Sequence, residues 1–331
     1  MRSLLLLFTL PAFGATDIAT RLNWLLNDPL VGLSKYESAS PPTLDSAKLG
    51  RLLFYDKRLS KDGTISCATC HQVEHGYSSI TAVATGIAGL QGTRKPPPIL
   101  NKAFGGPFFW DGRADTLEAQ ASGPLFHPAE MGTTEAELVA KLESIQGYRK
   151  LFQEPISLSS VTRAIADFER TLMSGNSLFD RWQADPTVIY PETAQRGFDL
   201  YKDRSCNECH GAPLFTDNQF HNTGVGFANG AFKDEGRSKI SGHEEDTGSF
   251  KTPTLRNLLS HAPYMHDGSI ATLPELIDFY NKAGHANPHL DEKIIPLGLQ
   301  PGEKVALVDF LKTLEGIGFE ETPPTPDEFP L

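Results

Sequence analysis

Two five-residue stretches decide how this chain is read: Cys67-Ala68-Thr69-Cys70-His71 and Cys206-Asn207-Glu208-Cys209-His210. Each has the C-x-x-C-H spacing of covalent c-type haem attachment, in which two thiols add to the porphyrin vinyls and the adjacent imidazole becomes the proximal iron ligand. The short loop presents both sulfurs to one edge of the macrocycle and delivers the histidine beneath the iron. A zinc site would gather four ligands closely, and a redox C-x-x-C needs no histidine beside it. Neither explains two copies that each end in His. The motifs also consume all 4 cysteines, leaving none for a disulfide. Two covalently bound haems are therefore expected, held through Cys67, Cys70, Cys206 and Cys209, with His71 and His210 on the irons.

At 331 residues the chain has room for about two domains, and its 39% hydrophobic content is that of an ordinary globular protein. The 24 prolines and 29 glycines predict long irregular connections. A formal net charge of -11 argues against nucleic-acid binding. Residues 1–15 read as a secretory signal: Arg2, an apolar Leu4–Phe8, then small residues around Gly14 and Ala15. That run is too short to span a bilayer and no other stretch is longer, so an exported, periplasmic protein with no membrane span is expected.

Helical spacing runs through Ile18, Leu22, Leu25 and Leu26, and again over 44–54 just before the first motif. Periodicity disappears from Gly76 to Pro98, which reads as a loop near the first haem. A helical stretch is predicted over 116–121, and Thr134 with Glu137 makes a capping-box start for a helix to about Ile145. Residues 159–172 carry Val161, Ile165, Phe168 and Leu172 on one face. The second domain begins after that helix. A helix over 193–201 leads into the second motif as 44–54 leads into the first, an internal duplication of architecture. Residues 215–250 read as loop. Thr272, Pro274 and Glu275 start a helix, and another covers 302–314. The fold expected is mostly α, with two cytochrome c-like haem domains and long irregular loops. Their bounds are 16–175 and 176–320, followed by an extended or disordered proline-rich tail, 321–331.

With Phe109-Trp110-Asp111-Gly112-Arg113 between the motifs, and Thr252–Asn257 and Pro263–Gly268 after them, the chain resembles the bacterial di-haem cytochrome c peroxidase and MauG superfamily over about residues 44–314. The resemblance implies an N-terminal haem where hydrogen peroxide reacts and a C-terminal haem that stores or relays oxidising equivalents. Trp110 matches the tryptophan that couples them. Glu130 matches the distal acid–base glutamate, with Gln120 and Pro124 at other distal positions. A desolvated carboxylate suits moving a proton between the two peroxide oxygens. His266 and His221 are matched to places that hydrogen-bond propionates or position the second haem.

The position fourteen residues after His266 is methionine in the peroxidase members and tyrosine in MauG-type ones; here it is Tyr280. The resemblance thus implies a Tyr280-ligated second iron, in the MauG-like branch that includes MbnH-type enzymes. A hard phenolate favours oxidised iron where a thioether favours the reduced form. The expected function is peroxide-dependent formation of high-valent iron that oxidises Trp or Tyr side chains of a partner protein. The alternatives are a cytochrome c peroxidase fed by a small cytochrome or copper protein, and a non-catalytic electron-transfer protein. The loop from Gly86 to Lys95 holds no histidine, so the first haem is expected to be five-coordinate. The surface tryptophan of MauG is replaced by Asp203-Arg204-Ser205, leaving Tyr201 and Trp182 as exit candidates. Lys95 stands where the family has an asparagine holding calcium between the haems, which speaks against calcium here.

Overall fold

The computed structural model describes residues 15–331, so the signal-like run lies outside the described residues except for Ala15. The first half contains helices α1 (Ile18–Leu26), α2 (Leu44–Tyr55), α3 (Cys67–Cys70), α4 (Leu117–Phe126), α5 (Glu135–Ser144), α6 (Gln146–Leu151) and α7 (Leu158–Arg170). The second contains α8 (Leu178–Ala184), α9 (Glu192–Asp203), α10 (Ser238–Ser241), α11 (Leu273–Asn281) and α12 (Pro301–Lys312). The segment expected to be all loop over 215–250 contributes two small ladders, β1 (Phe220–His221) with β4 (Phe250–Lys251) and β2 (Phe227–Ala228) with β3 (Ala231–Phe232).

Side-chain caps set many helix starts. Asp17 accepts from Thr20 N at 3.0 Å to open α1. Thr134 and Glu137 close a full capping box on α5, as do Thr272 and Glu275 on α11. Helix α4 runs past the predicted end at Ala121 and through Pro124. Proline there only removes the donor to Gln120's carbonyl, and the end of the helix is held by His127 N donating to Gly123 O at 3.0 Å.

Among the described residues two large hydrophobic cores form, one from buried residues between Ile18 and Met173 together with Phe319, the other from residues between Phe179 and Leu314, with a small third cluster of Phe108, Ala114, Leu117 and Ala166 beside them. Each large core is built on a crossed helix pair. In α2 against α7, a Cβ on Gly50 would lie 1.8 Å from the Ala164 carbonyl oxygen; in α9 against α12, a Cβ on Gly197 would lie 1.9 Å from that of Ala306. The two glycines let backbone meet backbone, and the residues four further on, Phe54 and Tyr201, pack beneath the crossing.

The duplication extends well beyond these helices. Asn101 (φ +61°) and Asn257 (φ +58°) each open a 3-10 turn, Lys102–Phe104 and Leu258–His261. Next, Phe108 bridges Ala114 as Tyr264 bridges Ile270, with positive φ at Phe109 and Met265 and at Gly112 and Gly268. Helices α4 and α11 follow, capped by Thr116 and Thr272. In this shared frame Trp110 corresponds to His266 and, fourteen residues on, Pro124 corresponds to Tyr280.

The halves are tied together by buried polar contacts. Arg256, fully buried, donates to both Asp180 oxygens at 2.8 Å, to Pro213 O at 2.9 Å and to Gly32 O at 3.2 Å. The tail contains a 3-10 turn, Pro326–Glu328, and is anchored to the first half. Buried Arg21 pairs with Glu321, Arg51 donates to Glu321 at 3.1 Å and Thr322 O at 2.6 Å, and Gly147 N donates to Leu331 O at 2.8 Å.

Candidate functional site

Helix α3 carries the first motif, started by Ser66 with Thr69 in a capping box; a 3-10 turn, Cys206–Glu208, carries the second after α9. Both histidines are oriented alike. His71 Nδ1 donates to the Tyr77 carbonyl at 3.1 Å, and His210 Nδ1 to the Phe215 carbonyl at 3.0 Å. A carbonyl partner fixes the proton on Nδ1 and leaves the Nε2 lone pair free for a metal. Burial lowers both pKa values, that of His71 to about 4, so both rings are neutral.

The four cysteines are free and half-buried. Burial pushes the thiols of Cys70 and Cys206 up to about 11 and that of Cys67 higher still. Such thiols face apolar space in which a neutral thioether carries no desolvation penalty. Neutral imidazoles with a free Nε2, paired sulfurs and an adjoining apolar cavity fit a c-type haem at each motif.

The smaller cavity, about 50 Å³, is lined by Cys67, Cys70 and His71 together with Gln120, Pro124 and Glu130. Thus the three residues matched to the distal pocket by resemblance come together at the first motif, while Trp110, matched to the coupling position, lines the other cavity. Burial raises the pKa of Glu130, partly offset by His127 and Arg113. Its backbone is fixed by the loop from Gly76 to Pro98, where Ile87 N donates to Glu130 O at 2.9 Å. From that loop only Ala84 and Gly86 line the cavity, and neither side chain offers a ligand atom.

Glu169 also lines this cavity and was not singled out from sequence. It is buried, its Oε2 has no partner, and burial raises its pKa to about 8. The signal was available, since Glu169 follows Ile165 by four residues on the apolar face of α7.

The larger cavity, about 220 Å³, is lined by Cys206, Cys209, His210 and Tyr280, and by Trp110, Lys95, His266 and Lys251. Tyr280 reaches it from α11, and burial raises its phenol pKa well above the ordinary value. Trp110 Nε1 donates to Lys95 O at 2.8 Å, and its ring lies 6.4 Å from that of His266. His266 stacks on Phe250 at 3.5 Å. Lys95 is buried, donates to Ser79 O and to His266 O through Nζ and N respectively, and burial lowers its pKa to about 8.

His221 sits between two carboxylates, with Nδ1 2.5 Å from Asp291 and Nε2 2.9 Å from Asp217. Cys209, Asp217 and His221 offer atoms within 4.8 Å of one another. His221 thus lies beside Cys209 of the second motif. Tyr201 donates to His210 O, and Trp182 stacks on Tyr190 at 4.2 Å.

A profile of the di-haem cytochrome c peroxidase family matches residues 45–187. The methylamine utilization protein MauG of Methylorubrum extorquens is 40% identical over 289 residues, covering 85% of this chain and 81% of that protein. Cytochrome c551 peroxidase of Nitrosomonas europaea is 33% identical over 297 residues, covering 88% and 85%. The crystal structure of a MauG-like protein associated with microbial copper homeostasis has a TM-score of 0.80 at 34% identity, covering 88% of this chain and 97% of that one. Among the described residues no helix is long and apolar enough to cross a membrane. Family membership implies two c-type haems for the two motifs, and the chain belongs to the di-haem cytochrome c peroxidase and MauG family, haem-dependent oxidoreductases that use peroxide.

Proposed function

We propose that this is a MauG-like enzyme of the periplasm, with one haem domain per half, in which peroxide reacts at the first motif and aromatic side chains of a partner protein are oxidised. The observation that carries the reading is the shared frame of the two halves, which sets Pro124 where the other half has Tyr280. The haems, when bound, supply peroxide reduction and storage of the oxidising equivalents it yields.

The chain's own groups divide the remaining work. Pro124 offers no donor atom, so the first site stays open on that side. Glu130, its basicity raised by burial, takes a proton from the near peroxide oxygen and returns it to the far one. Gln120 adds a polar group to the same wall. Burial keeps the Tyr280 hydroxyl protonated without a nearby cation, and a ferric iron in the second cavity is the charge that would release its proton. Trp110, held by Lys95, lines the second cavity in contact range of His266 and suits coupling between the sites. Lys95 places a buried ammonium between the halves, which supports a calcium-free link.

The kinship with cytochrome c551 peroxidase favours a second reading, reduction of peroxide with electrons from a small cytochrome or copper protein. A tryptophan-containing peptide incubated with the holoprotein and peroxide separates the two. Oxidised peptide by mass spectrometry, with slow turnover of reduced cytochrome, is the expected result. Fast cytochrome turnover with an unmodified peptide would overturn the proposal.

A further inference from the structure

His261 ends the 3-10 turn Leu258–His261, is 3% exposed, and has no hydrogen-bond partner at either ring nitrogen. The Gly76 backbone is the protein group near enough to act on one ring nitrogen; a ring nitrogen left buried without a partner costs about 1–3 kcal/mol, which calls for a partner the protein itself does not provide. One side of the ring lines the larger cavity. The other abuts the first half, where a Cβ on Gly76 would lie 2.8 Å from Nε2. Gly76 precedes Tyr77, whose carbonyl accepts from His71 Nδ1 at 3.1 Å. The ring thus stands between the second cavity and the loop that aims the first proximal histidine.

The only polar groups at the periphery of a c-type haem are its propionates. Lys95 and Lys102 lie close enough to His261 to act on its charge, and would act favourably on an anionic group beside it. We propose that His261 is a positioning residue that bridges the two sites, one ring N–H bonding the Gly76 carbonyl and the other a propionate of the second haem. Two acceptors flank the ring, so it carries both protons, and the carboxylate supplies the countercharge. Burial and the two lysines hold its pKa down at about 3 against the pull of the Gly76 backbone, and an adjacent anion acts in the opposite direction. Through Gly76 and Tyr77 the bridge gives the second haem a mechanical hold on His71 that is separate from Trp110.

The inference rests on the di-haem reading, so the test starts with haem content. The native holoprotein and its His261→Leu and His261→Gln variants are assayed for two covalent haems, then examined by resonance Raman spectroscopy. In His261→Leu the propionate bending band of the second haem and the iron–histidine stretch of the reduced first haem both shift down; in His261→Gln they fall between native and Leu positions. If the Leu variant does not fold, the Gln variant reads the same two bands. Absence of two haems in the native protein overturns the premise. Two haems with either band unmoved overturns the bridge alone.

Discussion

At the scale of single residues, the first site is governed by two carboxyl groups, the half-buried Glu130 and the buried Glu169. Glu130→Gln keeps the size of the side chain and removes its ability to accept a proton, so the rate of peroxide reaction should fall about 10²–10⁴-fold in stopped-flow measurements, with haem content unchanged. Glu169 makes a prediction about stability. Burial raises its pKa to about 8, so the fold favours the protonated form. Its contribution is complete below the ordinary carboxylate pKa and is lost as pH rises through about 8. Glu169→Gln should therefore flatten the fall in melting temperature between weakly acidic and alkaline pH. A native-like slope in the variant would contradict the assignment. Glu130 and Tyr280 were legible because the resemblance aligns them with functional positions. Glu169 was not, because a carboxylate beside Ile165 and Phe168 on the apolar face of α7 has no counterpart among the motifs that carry the resemblance.

At the scale of elements, the half around each C-x-x-C-H motif depends on one glycine. A Cβ at Gly50 or Gly197 would meet a backbone oxygen at 1.8 or 1.9 Å, which no rotamer change relieves. Gly50→Ala and Gly197→Ala should each destabilise by about 1–3 kcal/mol or more by chemical denaturation. Gly50→Ala should also lower haem retention at the first motif and Gly197→Ala at the second. Capped helices were the most legible part of the fold: Thr134 with Glu137 and Thr272 with Glu275 mark α5 and α11 where the chain begins them. The repeat of Phe108–Gly112 in Tyr264–Gly268 was missed because its residue types differ while its backbone does not. Positive φ at Phe109 and Met265 has no sequence signature, since neither is a residue that favours it.

At the scale of the molecule, the two halves are held by a few buried charges and by the tail. Deleting 320–331 removes Glu321 from Arg21, which is 1% exposed and whose Nε and Nη1 already lack partners. An uncompensated buried guanidinium costs about 3–5 kcal/mol, so the deletion should open the first half to proteolysis before the second. Equal susceptibility of both halves would contradict this role for the tail. The proline-rich composition of the tail conveyed neither its 3-10 turn nor its anchorage, which depends on Arg21, Arg51 and Gly147 far away in sequence.

One frame used twice, open at Pro124 and closed at Tyr280, is tested most directly by electron paramagnetic resonance of the diferric protein and its Tyr280→Phe variant. One high-spin and one low-spin haem are expected in the native protein, and two high-spin haems in the variant. Two low-spin haems in the native protein, or a variant spectrum identical to the native one, would contradict it.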